Sequence, residues 1–531
     1  MKNDTWSSES RQQSLAQLAQ KWDIVIVGGG ITGAGILLEA ARRGLKVLLL
    51  EQHDFAWGTS SRSSKLVHGG LRYLKEGKFK MTRESVHERQ SLMQEAAGLV
   101  DQQSFAFADY RGRKPGRWMF ALGLAIYDLM SGKRARHYYP TDEFLQLAPH
   151  IASEGLNGGM CYVDAKTDDA RLVLRVLQEA LGFGAVAINY LAARKTLRAE
   201  NGSVNGLELH DAESGESYSV YAEVVINATG AWADTLRQQQ GEKAKLRPLR
   251  GSHLLFPAWR LPVAQAISLM HPRDGRPVFA YPWEGVTLVG TTDVDHSADL
   301  QIEAAITPDE VRYLMEALAF QFPQLQLTLN DIIATYAGVR PVIDSGKADP
   351  SKEARDHAVW LEQGLLTVTG GKLTTFRLIA LDALKHVTSL LPHWKTSLQM
   401  TPLFSPAQPL EFDKRLSTQQ AQRLQGHYGQ HAAAVIAAAQ DGELENIAGT
   451  ETMWIELRWA ARNEAVIHLE DLLLRRTRLG LLLRGGGQEI LPRVRSICQM
   501  ELGWSDEKWD TEQTAYLNLW QKHYSVPVRD A

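Results

Sequence analysis

The sequence predicts an α/β fold with a Rossmann-like sheet that binds a dinucleotide, an inserted antiparallel sheet and a C-terminal helical cap domain. Three observations predict it. A glycine-rich turn joins two short apolar strands near the N-terminus, segments of alternating polarity occupy the middle of the chain, and helical periodicity dominates beyond residue 409. The 531-residue chain is too long for one core. The expected division is an N-terminal tail (1–20), a discontinuous cofactor domain (21–400) with an inserted substrate-binding sheet around 186–340, and a helical domain (401–531).

The composition is that of a large soluble globular protein, with 44% hydrophobic residues. The 58 basic and 61 acidic residues leave a net charge of −3, which argues against nucleic acid as a partner. Cys161 and Cys498 are too few for a disulfide framework and show no metal-site spacing. We therefore expect no metal ion, and a reducing compartment such as the cytoplasm.

The hydrophobicity pattern predicts no membrane-spanning segment, because no stretch reaches the roughly 18 apolar residues that cross a bilayer. The nearest, residues 118–127, carries no charge and suits a buried or an interfacial helix. Basic residues flank it at 111–117 and 133–136, so docking on anionic lipid and a core helix with solvated ends are both open. Residues 1–20 lack the pattern of a secretory signal, and we expect a soluble tail or short helix.

The glycine-rich turn follows a buried strand at residues 24–27 and opens a helix, and a second strand then ends in Glu51. In such a βαβ unit Gly28 makes the tight turn, Gly30 lets the backbone approach a pyrophosphate, and Gly33 lets the helix pack on the strand. The helix N-terminus offers free N–H groups to the phosphates. A carboxylate at Glu51 can accept from ribose hydroxyls and would repel a 2′-phosphate, so NADP is disfavoured.

The loop that follows the acid favours FAD over NAD. A hydroxyl-rich loop at residues 58–65 suits a second layer of phosphate and flavin contacts, although a solvated linker is the alternative. Small-residue turns at 228–230 and 370–375 follow buried strands, and the second can stabilise negative charge on a reduced flavin. A plain strand-to-helix turn is the alternative for residues 370–375.

Several other segments predict structure without chemistry. Residues 79–97 indicate a mixed-charge surface helix, structurally bland, and residues 402–409 a linker. Residues 453–474 are the strongest helical stretch in the C-terminal third. The basic cluster at 475–478 suits a helix C-terminus and is predicted to need no functional explanation.

Six segments together resemble the FAD-dependent glycerol-3-phosphate dehydrogenases: residues 28–33, 60–73, 251–253, 290–293, 338–341 and 370–375. The most specific is SSKLVHGGLRY at 63–73, and the helical segment with Glu464, Glu470 and Asp471 is similar to the cap domain of that family. The resemblance implies oxidation of sn-glycerol 3-phosphate to dihydroxyacetone phosphate, with hydride passing to N5 of FAD. It further implies electron transfer to quinone and a peripheral position on the inner face of the cytoplasmic membrane, and it allows a homodimer.

The resemblance also assigns roles to single residues. It implies His253, Arg340 and Lys372 as catalytic and Arg72, Tyr73 and Arg355 as substrate-binding. The cofactor residues that it implies are Gly28, Gly30, Gly33, Glu51, Thr59, Ser60, Ser61, Ser64, Leu66, His68, Gly69, Gly230, Gly371, Leu373 and Thr374.

The implied residue types fit the chemistry. A phosphate monoester needs cationic donors, and removing a proton from an alcohol suits a histidine such as His253. A strand histidine bonded to backbone is the alternative for His253, and core ion pairs are the alternative for Arg340 and Lys372. Two other functions stay open: a glycerol-3-phosphate oxidase that uses O2 and releases peroxide, and a non-enzymatic flavin-binding scaffold.

Overall fold

The computed structural model of the chain describes residues 6, 8–75, 77–113, 116–132, 135–347, 353, 356–406, 410 and 413–527, without the side chains of residues 8, 9, 72 and 75. The strands are β1 Lys21–Val27, β2 Val47–Leu50, β3 Leu66–Val67, β4 Val100–Tyr110, β5 His137–Pro140, β6 Leu156–Thr167, β7 Val186–Ile188, β8 Leu191–Arg198, β9 Val204–Asp211, β10 Ser217–Asn227, β11 Leu246–Pro257, β12 Ala266–Met270, β13 Pro277–Trp283, β14 Val286–Gly290, β15 Val294–Asp295, β16 Ala334–Ile343, β17 His357–Glu362 and β18 Leu365–Gly370.

The helices are α1 Ser8–Ala16, α2 Ile31–Ala41, α3 Leu71–Lys75, α4 Phe79–Glu95, α5 Arg117–Ser131, α6 Thr141–Leu147, α7 Asp169–Gly182, α8 Ala233–Gln238, α9 Pro308–Gln321, α10 Phe376–Leu390, α11 Thr418–Tyr428, α12 Ala432–Ala437, α13 Trp454–Asn463, α14 Leu479–Leu482, α15 Leu491–Leu502 and α16 Asp506–His523. None of them, in the described part of the chain, combines the length and hydrophobicity that crossing a bilayer requires.

The first sheet has the strand order β17-β18-β10-β1-β2-β7, with β8 and β9 attached beside β10. The five strands from β18 to β7 are parallel, and Val27 on β1 lies opposite Leu50 on β2. Helix α2 packs between α7 and α10. Because these strands carry almost only buried apolar residues, helices can cover the sheet, as parallel sheets require. The predicted βαβ unit and the α/β fold class are confirmed.

The second sheet has the order β15-β11-β14-β13-β12-β4-β6-β3, with β16 beside β11 and β5 beside β6. Its pairs are antiparallel except for β12 with β4. This membership corrects the expected sheet around 186–340, because β7–β10 belong to the first sheet and β3–β6, from residues 66–167, belong to the second. The alternation of polar and apolar residues along a strand shows which face of the strand is buried. It does not show which strand lies beside it, because strand pairing is a long-range contact. The domain boundaries stay a prediction.

The expected long helix at 453–474 is interrupted. Helix α13 ends at Asn463, and Ala465 has a left-handed backbone conformation with φ of 52°. Trp6 pairs with the chain here, since its N–H donates to the Asn463 carbonyl at 3.0 Å and its carbonyl accepts from Ala465 N–H at 3.2 Å. Trp6 is buried and donates its indole N–H to the carbonyl of Ala187 on β7. Trp6 therefore ties the first sheet to the C-terminal helices at the point where α13 ends.

The arginines at 475–478 lie where a helix ends, as predicted, since Arg475 and Arg476 are in the last turn of a π-helix over Asp471–Arg476. Arg475 and Arg476 are buried and both bind Asp54, at 2.5 and 2.6 Å. Burial opposes ionisation, but the two guanidinium groups lower the pKa of Asp54 to about 2. Arg478 lies 3.3 Å from Asp169. These residues therefore do more than end a helix, because they are buried and anchor the loop that follows β2.

Candidate active site

A deep cavity opens at the carboxyl ends of β1, β10 and β18, where α/β sheets place their ligands. It encloses about 1230 Å³ when the space open to solvent is included. The residues that line it come from both sheets and the loops between them: Val27, Gly28, Gly30, Ile31, Thr32, Glu51, Gln52, Trp57, Gly58, Thr59, Ser60, Ala193, Ala228, Thr229, Gly230, Trp232, Thr235, Leu236, Gln301, Pro341, Thr369, Gly370, Gly371, Lys372 and Leu373.

The glycine turn leaves no room for larger side chains. Gly28 has a φ of +115°, and a Cβ atom there would lie 2.5 Å from the Ala228 carbonyl oxygen. A Cβ on Gly33 would overlap the carbonyl oxygen of Gly28. Gly30 instead faces the cavity, with only the Ser60 side chain near its Cβ position. This bare backbone at the start of α2 fits a pyrophosphate group.

Glu51 and Ser60 also line the cavity, beside the glycine turn, where the phosphate and ribose groups of a dinucleotide would lie. The Glu51 carboxylate accepts from Gly29 N–H at 2.7 Å and from His53 N–H at 2.9 Å, and it keeps lone pairs for a ribose diol. Burial raises the pKa of Glu51, although the backbone N–H groups oppose this shift. Ser60 Oγ accepts from Ile31 N–H at 3.0 Å, which places the hydroxyl-rich loop at the N-terminus of α2.

The hydroxyl-rich loop is part of the protein interior and not a solvated linker. Ser61 and Lys65 are buried, and Lys65 Nζ donates to Asp169 at 2.8 Å. Thr59 donates its hydroxyl to the carbonyl of Val339 on β16. Leu66 begins β3, where it pairs with Lys166 on β6. The loop therefore joins the cofactor turn to the second sheet.

Two tryptophans at one end of the cavity escaped the sequence prediction. The rings of Trp57 and Trp232 lie 5.8 Å apart, and both line the cavity. Each stands next to a predicted cofactor segment, which is the signal that would have found them. Gln301, which comes from the segment between β15 and α9, has no such signal. These flat and amide side chains suit an adenine ring.

His253 lies in the middle of β11, opposite Gly290 on β14 and Tyr336 on β16. Its ring stacks on Tyr336 with centroids 4.5 Å apart, and its Nε2 lies 2.9 Å from Ser64 Oγ. The partner is therefore a hydroxyl and not backbone. Burial, with the charges of Arg340 and Lys65, lowers the pKa of His253 well below 6.5, so the ring is neutral at pH 7.

Arg340 on β16 lies against Gly251 on β11. Its guanidinium donates to Asp293 at 3.0 Å and to Thr291 Oγ1 at 3.2 Å. The neighbouring residue Pro341 lines the cavity. Strand pairing therefore unites three segments that are distant in sequence, 251–253, 290–293 and 338–341.

Lys372 lines the cavity just after β18. Its ammonium donates to Ser85 Oγ on α4 and lies 4.2 Å from the centroid of the buried Tyr73 ring. Burial lowers the pKa of Lys372 from 10.5 to about 8. Ser85 is a further residue that the sequence did not indicate, because the pattern of α4 predicts only a surface helix.

Residues 68–70, here named the HGG loop, adjoin this lysine. Thr374 donates its hydroxyl to the His68 carbonyl at 3.1 Å, and Gly69 N–H donates to Asp164 at 2.9 Å. Lys372 Nζ is 3.5 Å from the Cβ position of Gly70. The HGG loop and the turn at 370–375 therefore meet.

The structure thus divides the predicted site residues into groups. Eight predicted cofactor residues line the cavity: Gly28, Gly30, Glu51, Thr59, Ser60, Gly230, Gly371 and Leu373. The others support its walls or lie beyond it: Gly33, Ser61, Ser64, Leu66, His68, Gly69 and Thr374. Arg72 lies in α3, but its side chain is outside the described residues, and Arg355 lies wholly outside them.

Comparison with protein families agrees with the site. A family described as FAD dependent oxidoreductase matches residues 23–377, and the C-terminal domain of alpha-glycerophosphate oxidase matches residues 393–509. An aerobic glycerol-3-phosphate dehydrogenase of Bacillus subtilis (strain 168) is 39% identical over 398 residues, 74% of this chain and 70% of that relative. The protein of the same name in Staphylococcus haemolyticus (strain JCSC1435) is 34% identical over 484 residues, 86% of this chain and 87% of that relative.

Solved structures agree with this assignment. The glycerol-3-phosphate dehydrogenase from Bacillus halodurans complexed with FAD has a TM-score of 0.76 and 25% identity, and the alignment covers 99% of both chains. The L-alpha-glycerophosphate oxidase from Mycoplasma pneumoniae has a TM-score of 0.56 at 17% identity, covers 70% of this chain and 95% of its own, and shares the fold. The chain therefore belongs to the FAD-dependent glycerol-3-phosphate dehydrogenase family, with a FAD-binding α/β fold and a helical C-terminal domain.

Proposed function

We propose that the protein oxidises sn-glycerol 3-phosphate to dihydroxyacetone phosphate with FAD as its cofactor. The observation that carries this proposal is the charge at one end of the dinucleotide cavity. Lys372 lines that end, and Arg340 stands beside the lining residue Pro341. The substrate is a phosphate monoester, and two fixed cations suit its phosphate and hydroxyl oxygens. The glycine turn, Glu51 and Ser60 would hold the ADP portion of FAD, and the HGG loop and Leu373 would hold the flavin portion.

In the proposed reaction, the protein contributes Arg340, His253 and the residues that orient them. When bound, FAD supplies the acceptor for the hydride that leaves the alcohol carbon. Asp293 and Thr291 orient the Arg340 guanidinium, which keeps its charge at any physiological pH. His253 does not itself line the cavity and is neutral at pH 7 because burial holds its pKa well below 6.5, and in this proposal it is the group that accepts the hydroxyl proton. Ser64 fixes the ring orientation of His253 through Nε2. Arg72, Tyr73 and Arg355 contribute to phosphate binding in this proposal.

Flavin bleaching under anaerobic conditions tests the reaction. We expect sn-glycerol 3-phosphate to bleach the bound flavin within the dead time of manual mixing. Polyol phosphates with a longer carbon chain should bleach it at least about 100-fold more slowly, because a buried polar site discriminates strongly against misfit. A flavin that no glycerol phosphate bleaches would support the scaffold alternative and contradict the proposal.

The electron acceptor in this proposal is a quinone, in line with the relatives named aerobic glycerol-3-phosphate dehydrogenase. The reduced enzyme should be reoxidised faster by a soluble ubiquinone analogue than by air-saturated buffer. Stoichiometric peroxide without quinone reduction would establish the oxidase alternative.

A homodimer is also part of the proposal, and light scattering of the purified holoenzyme tests it.

Peripheral attachment to a membrane is supported by helix α5. Its outer face exposes Trp118, Met119, Leu122 and Leu129, whereas Leu124 and Tyr127 are buried. Trp118 is 80% exposed, and large apolar side chains clustered in this way mark an interaction surface. The basic residues Arg113, Arg117 and Arg136 flank the helix. We propose that α5 docks on anionic lipid at the cytoplasmic face of the membrane.

Changing Trp118 and Leu122 together to serine should weaken binding to anionic vesicles by at least about tenfold, because each buried side chain contributes roughly 1.5–3 kcal/mol. Co-sedimentation with phosphatidylglycerol vesicles measures the loss. Trp259→Ser is the matched control, since this tryptophan is 79% exposed and lies outside α5. Equal binding of the double variant and the control would exclude α5 as the docking surface.

A further inference from the structure

One face of helix α4 is directed towards the HGG loop, so α4 is more than a surface helix. Thr82, Ser85 and Arg89 are buried on it. Ser85 and Arg89 are four residues apart and therefore share a face. Arg89 donates to Asp164 at 2.5 Å, and Asp164 in turn accepts from Gly69 N–H. Ser85 accepts from Lys372. One face of α4 thus contacts both segments at the Lys372 end of the cavity.

The hydroxyl of Ser85 has a defined direction. It lies 2.6 Å from the Met81 carbonyl oxygen, one turn back in α4, and must donate its proton there because a carbonyl only accepts. A lone pair of Ser85 Oγ is therefore left for Lys372. This lone pair accepts more strongly from an ammonium than from the N–H of a neutral amine, and Ser85 has no proton left for the lone pair of that amine. The contact consequently favours the ammonium form.

The Lys372 ammonium also lies over the Tyr73 ring, which attracts a cation. Other charged groups act on it from each surrounding element. Asp164 on β6, Asp356 before β17 and Glu84 on α4 stabilise the positive charge, whereas Lys78 opposes it. Lys78 is itself paired with Asp356 at 3.2 Å. Ser85 is the neutral acceptor within this group of charges.

We propose that Ser85 is a positioning residue that holds Lys372 as an ammonium ion between its hydroxyl and the Tyr73 ring, facing the substrate end of the cavity. Its catalytic consequence rests on the proposed function, whereas the contact itself does not. Nothing in the sequence of α4 marks this serine, and its role emerges only from the fold.

The sign of the pH effect follows from the same contact. An ammonium exists below its pKa, which burial has already lowered to about 8 in Lys372. Removing an acceptor that favours the charged form lowers this pKa further. A hydrogen bond from a charged donor is roughly twice as strong as one from a neutral donor, so its loss shifts the equilibrium towards the neutral amine. Ser85→Ala should therefore move the titration of Lys372 down by about one pH unit.

Competitive labelling with acetic anhydride tests the contact without any substrate. The holoenzyme is labelled across a pH series, and mass spectrometry of the Lys372 peptide gives the midpoint. We expect the midpoint to fall by about one pH unit in Ser85→Ala. Thr82→Val is the matched control, because Thr82 is buried one turn earlier and donates to the Lys78 carbonyl in the same way. An unchanged midpoint, or equal changes in both variants, would overturn the proposal.

Flavin bleaching across pH tests the consequence for the reaction. If the pKa of Lys372 falls from about 8 to about 7, the ammonium fraction at pH 8.5 falls about eightfold, whereas at pH 6.5 it changes less than twofold. The bleaching rate of Ser85→Ala should follow this pattern, and that of Thr82→Val should not. A uniform loss at all pH values would indicate a merely structural serine. If the wild-type flavin is not bleached at all, the proposed function fails while the labelling result still decides the role of Ser85.

Discussion

Replacing Gly33 with alanine is expected to yield protein that no longer retains FAD. The new Cβ would overlap the Gly28 carbonyl oxygen, and two backbone segments cannot separate without moving α2 away from β1. Overpacking typically costs about 1–3 kcal/mol, and here the displaced group is the phosphate-binding turn itself. Affinity for FAD should fall about 100-fold or more. The ratio of flavin absorbance to protein after gel filtration measures it.

Gly182→Ala is the control for this variant. Gly182 is the last residue of α7, and no atom lies within 4 Å of its Cβ position. This variant should keep its flavin and its melting temperature. A Gly33→Ala protein with a normal flavin content would show that α2 can shift without loss of the cofactor site, against the packing role assigned to Gly33.

Arg340→Ala should lower the rate of flavin bleaching by two to three orders of magnitude, the typical loss on removing one fixed donor from a site of developing charge. FAD should stay bound, because Arg340 is not among the residues that line the cavity. Stopped-flow absorbance with sn-glycerol 3-phosphate measures the rate. Arg340→Lys should recover part of it, since a lysine keeps the charge but not the planar fork.

Arg276→Ala is the matched control, because Arg276 also approaches the Asp293 carboxylate, at 3.4 Å. It removes a cation from the same carboxylate and leaves Arg340 in place. If this variant loses as much activity as Arg340→Ala, the charge of Asp293 and not the guanidinium of Arg340 is decisive. Loss of flavin from Arg340→Ala would identify that residue as structural.

The local parts of the fold could be predicted from the sequence. Strand, glycine turn, helix, strand and acid follow one another between Lys21 and Glu51, and each is determined by neighbours within a few residues. An acid at 168 or 169, just before an amphipathic pattern, indicates a helix cap, and Asp168 provides it by accepting from Ala170 and Arg171 N–H. Such features depend on spacing, which a sequence displays directly.

Contacts between distant residues could not be predicted in this way. Ser64 and His253 are 189 residues apart, and Ser85 and Lys372 are 287 apart. Trp6 pairs with Glu464, at the point where the helix predicted over 453–474 ends. The family resemblance identified His253 and Lys372 as candidates, but it could not show that a serine on α4 binds the lysine. Partner choice is a property of the folded chain.

The pairing of Asp54 with Arg475 has a consequence for biosynthesis. The two residues are 421 positions apart, so at about 5–20 residues per second roughly 20–80 s separate their emergence from the ribosome. During this time Asp54 lacks the guanidinium groups that make its burial tolerable. We therefore expect the loop after β2 to stay hydrated on the nascent chain until these arginines are made. We therefore expect stable loading with FAD to follow translation of the C-terminal helices, and a protein truncated before Arg475 to retain less FAD than the full chain.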